Sequence, residues 1–255
     1  MRVPIDLVTL TRMDAKGYTE LVALNDDGRQ AATQSRAHTF VCDDGKVYWL
    51  KGRAQRGLVA DLIGGRLAAR VKAGPVSRIV RVPSEAVPPD GSQDHLLGLV
   101  VGSEDEKAAV NSRELDRVAP ATFDPRLIDP ASRALVVAFQ TWIGVGDTQV
   151  LVNLKTGYIR SIDHGECFMN PARTANLMLN RLSIKGVPDG LGSDPASRDA
   201  AAGTIEAVSD QDILEAVSGV PDGASWDSAC DRRLAIATWL VGRRGKIREV
   251  LETWA

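Results

Sequence analysis

Trp142-Ile143-Gly144-Val145-Gly146-Asp147 is followed, after a short alternating run, by Thr156-Gly157-Tyr158-Ile159-Arg160-Ser161-Ile162-Asp163-His164-Gly165. The first segment sets a carboxylate just after an apolar, helix-like run. The second sets another at the end of a strand pattern, immediately before His-Gly. A hairpin between them would bring both groups to one point. Carboxylates placed in this way suit phosphoryl transfer, in which one orients an attacking hydroxyl and another holds magnesium against phosphates.

Upstream, the sequence reads as strands at Ile5 to Leu10, Thr19 to Leu24, Thr39 to Cys42 and Val47 to Leu50. Asp43-Asp44-Gly45 between the last two marks a hairpin, because Asp and Gly tolerate the backbone angles of its turn. Lys51 then stands at a strand end. From Ala54 to Lys72, Val59, Ile63, Leu67 and Val71 recur at helical spacing, with Gly64-Gly65 lowering intrinsic helicity. On that wheel Asp61 falls opposite the apolar face, which predicts exposure to solvent. Val76 to Val82 and Leu96 to Val101 complete a strand-rich first part, and the polar, proline-punctuated stretch from Gly102 to Pro130 leads into a second.

Ala134 to Ile143 is apolar on nearly every side, as expected of a buried helix. Helical patterns follow at Pro171 to Leu182, from a cap at Ser209 through Val217, at Ser225 to Leu240 and at Lys246 to Trp254, with a break at Gly242 to Gly245. Gly186 to Gly203 reads as a loop. The expected division is 1–102 for a small lobe of strands with one helix and 103–255 for a mainly helical lobe.

At 255 residues and 44% hydrophobic content the chain can build a sizeable core, and its net charge of -2 favours neither nucleic acid nor an anionic membrane. Cys42, Cys167 and Cys230 lie far apart, as do His38, His95 and His164, which argues against a zinc site. No basic segment precedes an apolar run and no long apolar stretch occurs, so the expected location is the cytoplasm, with free thiols. Most of the five tryptophans sit in helical patterns and are expected to pack.

Ala138-Phe139-Gln140-Thr141-Trp142-Ile143-Gly144, Asp147 and Ile162-Asp163-His164-Gly165-Glu166-Cys167-Phe168 resemble the HipA-like kinase family. Tyr48-Trp49-Leu50-Lys51, Gly102-Ser103 and the tail containing Ile213-Leu214-Glu215, Val220-Pro221 and Arg243-Arg244 support the resemblance, which covers nearly the whole chain. It implies an α+β, bilobal protein-kinase-like fold that binds ATP and Mg2+ between its lobes and phosphorylates serine or threonine of a protein. By the same resemblance Asp147 would be the catalytic aspartate, Asp163 a magnesium ligand, and Lys51 the phosphate-holding lysine, with Asp61 the one candidate carboxylate to steady it. The second-metal asparagine should follow the aspartate about five residues on. Asn153 comes one residue late, and counting back from Asp163 reaches Val150 instead. Thr148 stands where many relatives have a basic residue, and Gln34-Ser35-Arg36 is a candidate phosphate loop without the glycine-rich signature. His164 reads as a structural hydrogen-bonding residue. The displaced asparagine leaves open a kinase-fold binding protein that has lost transfer, and fold alone leaves open a small-molecule or lipid acceptor.

Overall fold

The computed structural model describes residues 3–31, 37–52, 57–107, 109–111, 128–145, 149–168, 194–222, 226 and 228–252. Its first element is a helix, α1 (Leu7–Asp14), where the alternation of Ile5 to Leu10 suggests a strand. The reason is local: Asp6 accepts the Thr9 amide at 2.7 Å and caps the first turn. Leu10 is buried by the helical half of the molecule, and Asp14 takes two 2.8 Å bonds from Arg233 there.

β1 (Glu20–Gln30), β2 (His38–Cys42), β3 (Val47–Lys51), β4 (Ser77–Val82) and β5 (Gly98–Glu104) form a closed barrel in the order β1-β2-β3-β5-β4. Only the β1–β4 pairing is parallel. Alternation in the strands sends Phe40, Tyr48, Leu50, Val80 and Val100 into the barrel. Ile79 and Val101 instead join a second core with α2 (Leu58–Arg70). The helix therefore lies against the outside of β4 and β5.

A smaller sheet of β6 (Ala109–Asn111), β7 (Gln149–Asn153) and β8 (Ile159–Ile162) packs Val150, Val152 and Ile159 against Val136 of α3 (Pro130–Ile143). Asp129 caps α3 by accepting the Ser132 amide at 2.6 Å, and Gly144 ends it. α4 (Pro195–Glu206), α5 (Asp210–Val217), α6 (Cys230–Arg244) and α7 (Ile247–Glu252) bury their apolar faces with α2 and α3 in the largest core. Trp142 is fully buried there and donates its Nε1–H to the Leu240 carbonyl at 2.9 Å.

The architecture is mixed α+β, a barrel with its helix beside a mainly helical part. Within the stretch read as a loop, residues 194–203 belong largely to α4, which Asp194 caps and Pro195 begins. Helix α6 continues through Gly242 and stops at Gly245. A reciprocal capping box of Ser209 and Asp212 starts α5. The helix expected at Pro171 to Leu182 and the Gln34-Ser35-Arg36 loop lie outside the described residues. Among the described residues no helix is long and apolar enough to cross a membrane.

Candidate active site

Lys51 is the last residue of β3, held in register opposite Val101 of β5. Its ammonium bonds Asp61 Oδ2 at 2.9 Å and Asp163 Oδ1 at 2.5 Å. Burial opposes the Lys51 charge, but the Asp61 and Asp163 carboxylates outweigh it and move its pKa upward. Asp61 is raised chiefly by burial; Lys51 and the His164 amide pull it down, while Asp163 adds repulsion. One ammonium thus serves two carboxylates.

Asp61 is 7% exposed, contrary to the solvent-facing position predicted from the wheel. The wheel assumes one buried face, whereas α2 is buried on all sides from Leu58 to Gly65. Small residues permit this. A Cβ on Gly64 would collide with the His164 side chain, and Gly57, with φ 93°, lies so close to the Gly165 carbonyl that no side chain fits. Glycines on α2 and at its cap therefore let the Asp163-His164-Gly165 segment close onto the helix. Asp163 leaves β8 with φ 58°, a left-handed conformation uncommon outside glycine but tolerated by aspartate. That turn brings its carboxylate to Lys51.

Behind Asp163 runs a chain of buried amides and hydroxyls. Gln149, the first residue of β7, donates Nε2–H to Asp163 Oδ2 and accepts from Asn111 at 3.3 Å. Gln140 of α3 donates to Ser161 Oγ at 3.0 Å, and Ser161 Oγ lies 2.9 Å from His164 Nε2. Burial, then the Lys51 charge, pulls the His164 pKa down to about 3, so its imidazole is neutral at pH 7. His164 is a structural hydrogen-bonding residue.

The structure does not bring Asn153 to this cluster. It ends β7, where its Oδ1 accepts the Lys155 and Thr156 amides at 3.0 and 3.1 Å and closes the turn to β8. Four strand steps, about 13 Å at 3.3 Å each, separate it from Gln149. Val150 is buried in the small core and supplies no ligand. On β7 the residue that meets Asp163 is Gln149, which a spacing counted from Asp147 rather than from the start of the strand passes over. Asp147 and Thr148 lie outside the described residues.

The donor set fits a magnesium ion held mainly by phosphate and water. Asp163 is a hard carboxylate with its side chain one-third exposed, while Gln149 turns its N–H toward that carboxylate and its amide oxygen toward Asn111, so the carboxylate is the oxygen donor here. Magnesium is commonly held by one or two carboxylates plus substrate phosphates rather than by an all-protein cage. Among the described residues no cluster of three His, Cys, Asp or Glu forms such a cage.

No family model matches the chain, and no curated protein matches it in sequence. Among solved structures, the Helicobacter pylori proinflammatory kinase CtkA is similar over 93% of this chain and 98% of its own, with a TM-score of 0.56 and 10% identity. A Golgi casein kinase is similar over 97% of this chain and 77% of its own at a TM-score of 0.43, and its structure with Mn/ADP bound at 0.40, each with 11% identity. The first likeness, over nearly the full length of both chains, shows that this chain has a kinase-like fold.

Proposed function

We propose that this chain is an ATP- and magnesium-dependent kinase of the HipA-like group, transferring the γ-phosphoryl group to a serine or threonine hydroxyl of a protein in the cytoplasm. The observation that carries this reading is Lys51 held between Asp61 and Asp163, from three separate elements. Nucleotide would lie between the lobes 1–102 and 103–255. Lys51 would exchange Asp163 for the α- and β-phosphates while Asp61 keeps it aimed. Asp163, with the Gln149 amide turned toward it, would hold magnesium. The bound ion supplies charge neutralisation at the β- and γ-phosphates. Asp147 would accept a hydrogen bond from the attacking hydroxyl, whose oxygen bonds to the γ-phosphorus as the bond to ADP breaks.

A second reading, a nucleotide-binding protein without transfer, is favoured by one observation: Gln149 presents an N–H, not an oxygen, to Asp163. Radiolabelled ATP with magnesium separates the two. The kinase reading expects autophosphorylation that falls by about a hundredfold or more in Asp147→Ala and Asp163→Ala. Gln149→Ala should alter the magnesium requirement, whereas Asn153→Ala should leave it unchanged. A nucleotide-induced rise in melting temperature with no transfer under magnesium or manganese selects the binding protein, and no rise at all removes both.

A further inference from the structure

Away from Lys51, where α2 meets α5 and the entry to β1, a cavity of about 360 Å3 is lined by Arg66, Arg70, Arg78, Tyr18, Thr19 and Glu215, among others. That volume is within the ordinary range for small-ligand sites. Its three guanidinium groups differ in how they are satisfied. Arg70 is paired with Asp212 at 2.5 Å. Arg66 bonds only carbonyl oxygens among the described residues: those of Ala216 at 3.1 Å, Ser218 at 2.6 Å and Gly219 at 3.2 Å. These three bonds leave two of its five N–H groups unused. The guanidinium of Arg78, exposed on β4, makes no hydrogen bond or ion pair with any described residue.

Carbonyls orient a guanidinium but do not neutralise it. Burial, then the like charges of Arg78 and Arg233, lowers the Arg66 pKa to about 10. Asp212 and Glu215, the acidic residues on the wall, number one fewer than the arginines, so the cavity keeps a positive balance. Glu215 is engaged by Gln211 at 2.8 Å.

We infer that this cavity binds the phosphate group of a phosphate monoester, with Arg78 and the unused N–H groups of Arg66 as the fork and the Tyr18 and Thr19 hydroxyls beside it. Planar guanidinium forks match phosphate oxygens in a way a point charge does not. The inference does not rest on phosphoryl transfer at Lys51.

Isothermal titration at constant ionic strength tests it, with inorganic phosphate, O-phosphoserine and glycerol phosphate as probes and chloride as the control. The second and third probes distinguish an amino-acid-borne phosphate from one on a small metabolite. Saturable binding is expected in the native chain, weakened about tenfold or more in Arg78→Ala and partly retained in Arg78→Lys. Glu215→Gln should tighten it. Because Arg78 is exposed, circular dichroism of the variants should be unchanged, and Arg78→Gln serves if the alanine variant misfolds. Equal titrations in the native chain and Arg78→Ala, or no binding beyond the chloride control, would overturn the inference.

Discussion

Two cations on or against α2 are removed from water in opposite ways. Lys51 meets Asp61, from the first turn of the helix, and Asp163, so its surroundings carry more negative charge than it can balance. Arg66, five residues beyond Asp61, meets only carbonyl dipoles among the described residues, with the Arg78 and Arg233 guanidiniums near it. An excess of carboxylate suits a divalent cation, and an excess of guanidinium suits an anion. On the two proposals made above, α2 would serve two sites of opposite charge preference.

Removing the cation should hurt the first site most. Lys51→Met would leave Asp61 and Asp163 facing each other in a largely dry setting, and breaking a buried pair from one side typically costs about 3–5 kcal/mol. Urea unfolding should record a loss of that size. Arg78→Ala should cost nothing measurable, since it removes an exposed charge that repels Arg66. Equal losses in the two variants would erase the contrast.

A smaller effect tests how the first site is assembled. Helix propensity alone says that alanine for Gly64 should stabilise α2 by about 0.5–1 kcal/mol. The His164 side chain occupies that space, so Gly64→Ala should instead destabilise by about 1–3 kcal/mol, the usual cost of overpacking. Gly242 of α6 has nothing within 4 Å of an added Cβ, and Gly242→Ala should show the simple gain. Melting temperatures moving in opposite directions would sharpen the claim that α2 and the Asp163 segment are in contact.

These contacts also explain what local pattern can and cannot reveal. The β2–β3 hairpin is legible because Asp43-Asp44-Gly45 carries its own turn chemistry, and Lys51 follows as its end. Asp163 is legible as the close of an alternating run before glycine. Asp61 is not, because a wheel knows one helix and not the barrel, the 163–165 segment and α5 that cover it. Gly64 looks like a weakness in a helix when it is a point of close approach by a segment remote in sequence. Spacing points to Asn153, yet a strand advances about 3.3 Å per residue, so a count begun at Asp147 lands at the end of β7 far from Asp163. The α1 segment misleads for a simpler reason: the Asp6 cap outweighs a short alternation.

The finest test of the Lys51 surroundings is pH. His164 is kept neutral by burial and then by the nearby Lys51 charge, with a folded pKa of about 3 against an ordinary value of 6.5. The unfolded chain therefore binds the proton more readily, and the imidazole's share of stability is fully present above pH 6.5 and lost as pH falls below it. Between about pH 7 and pH 5 this one group should remove about 2 kcal/mol. Carboxylates contribute their own slope, so the informative quantity is the difference from His164→Gln, which cannot titrate. Urea unfolding of both proteins at about pH 7 and pH 5 should show the native chain losing more stability than the variant. Parallel losses would mean that the imidazole titrates in the folded protein much as it does in the unfolded chain, which would contradict its burial beside the Lys51 ammonium.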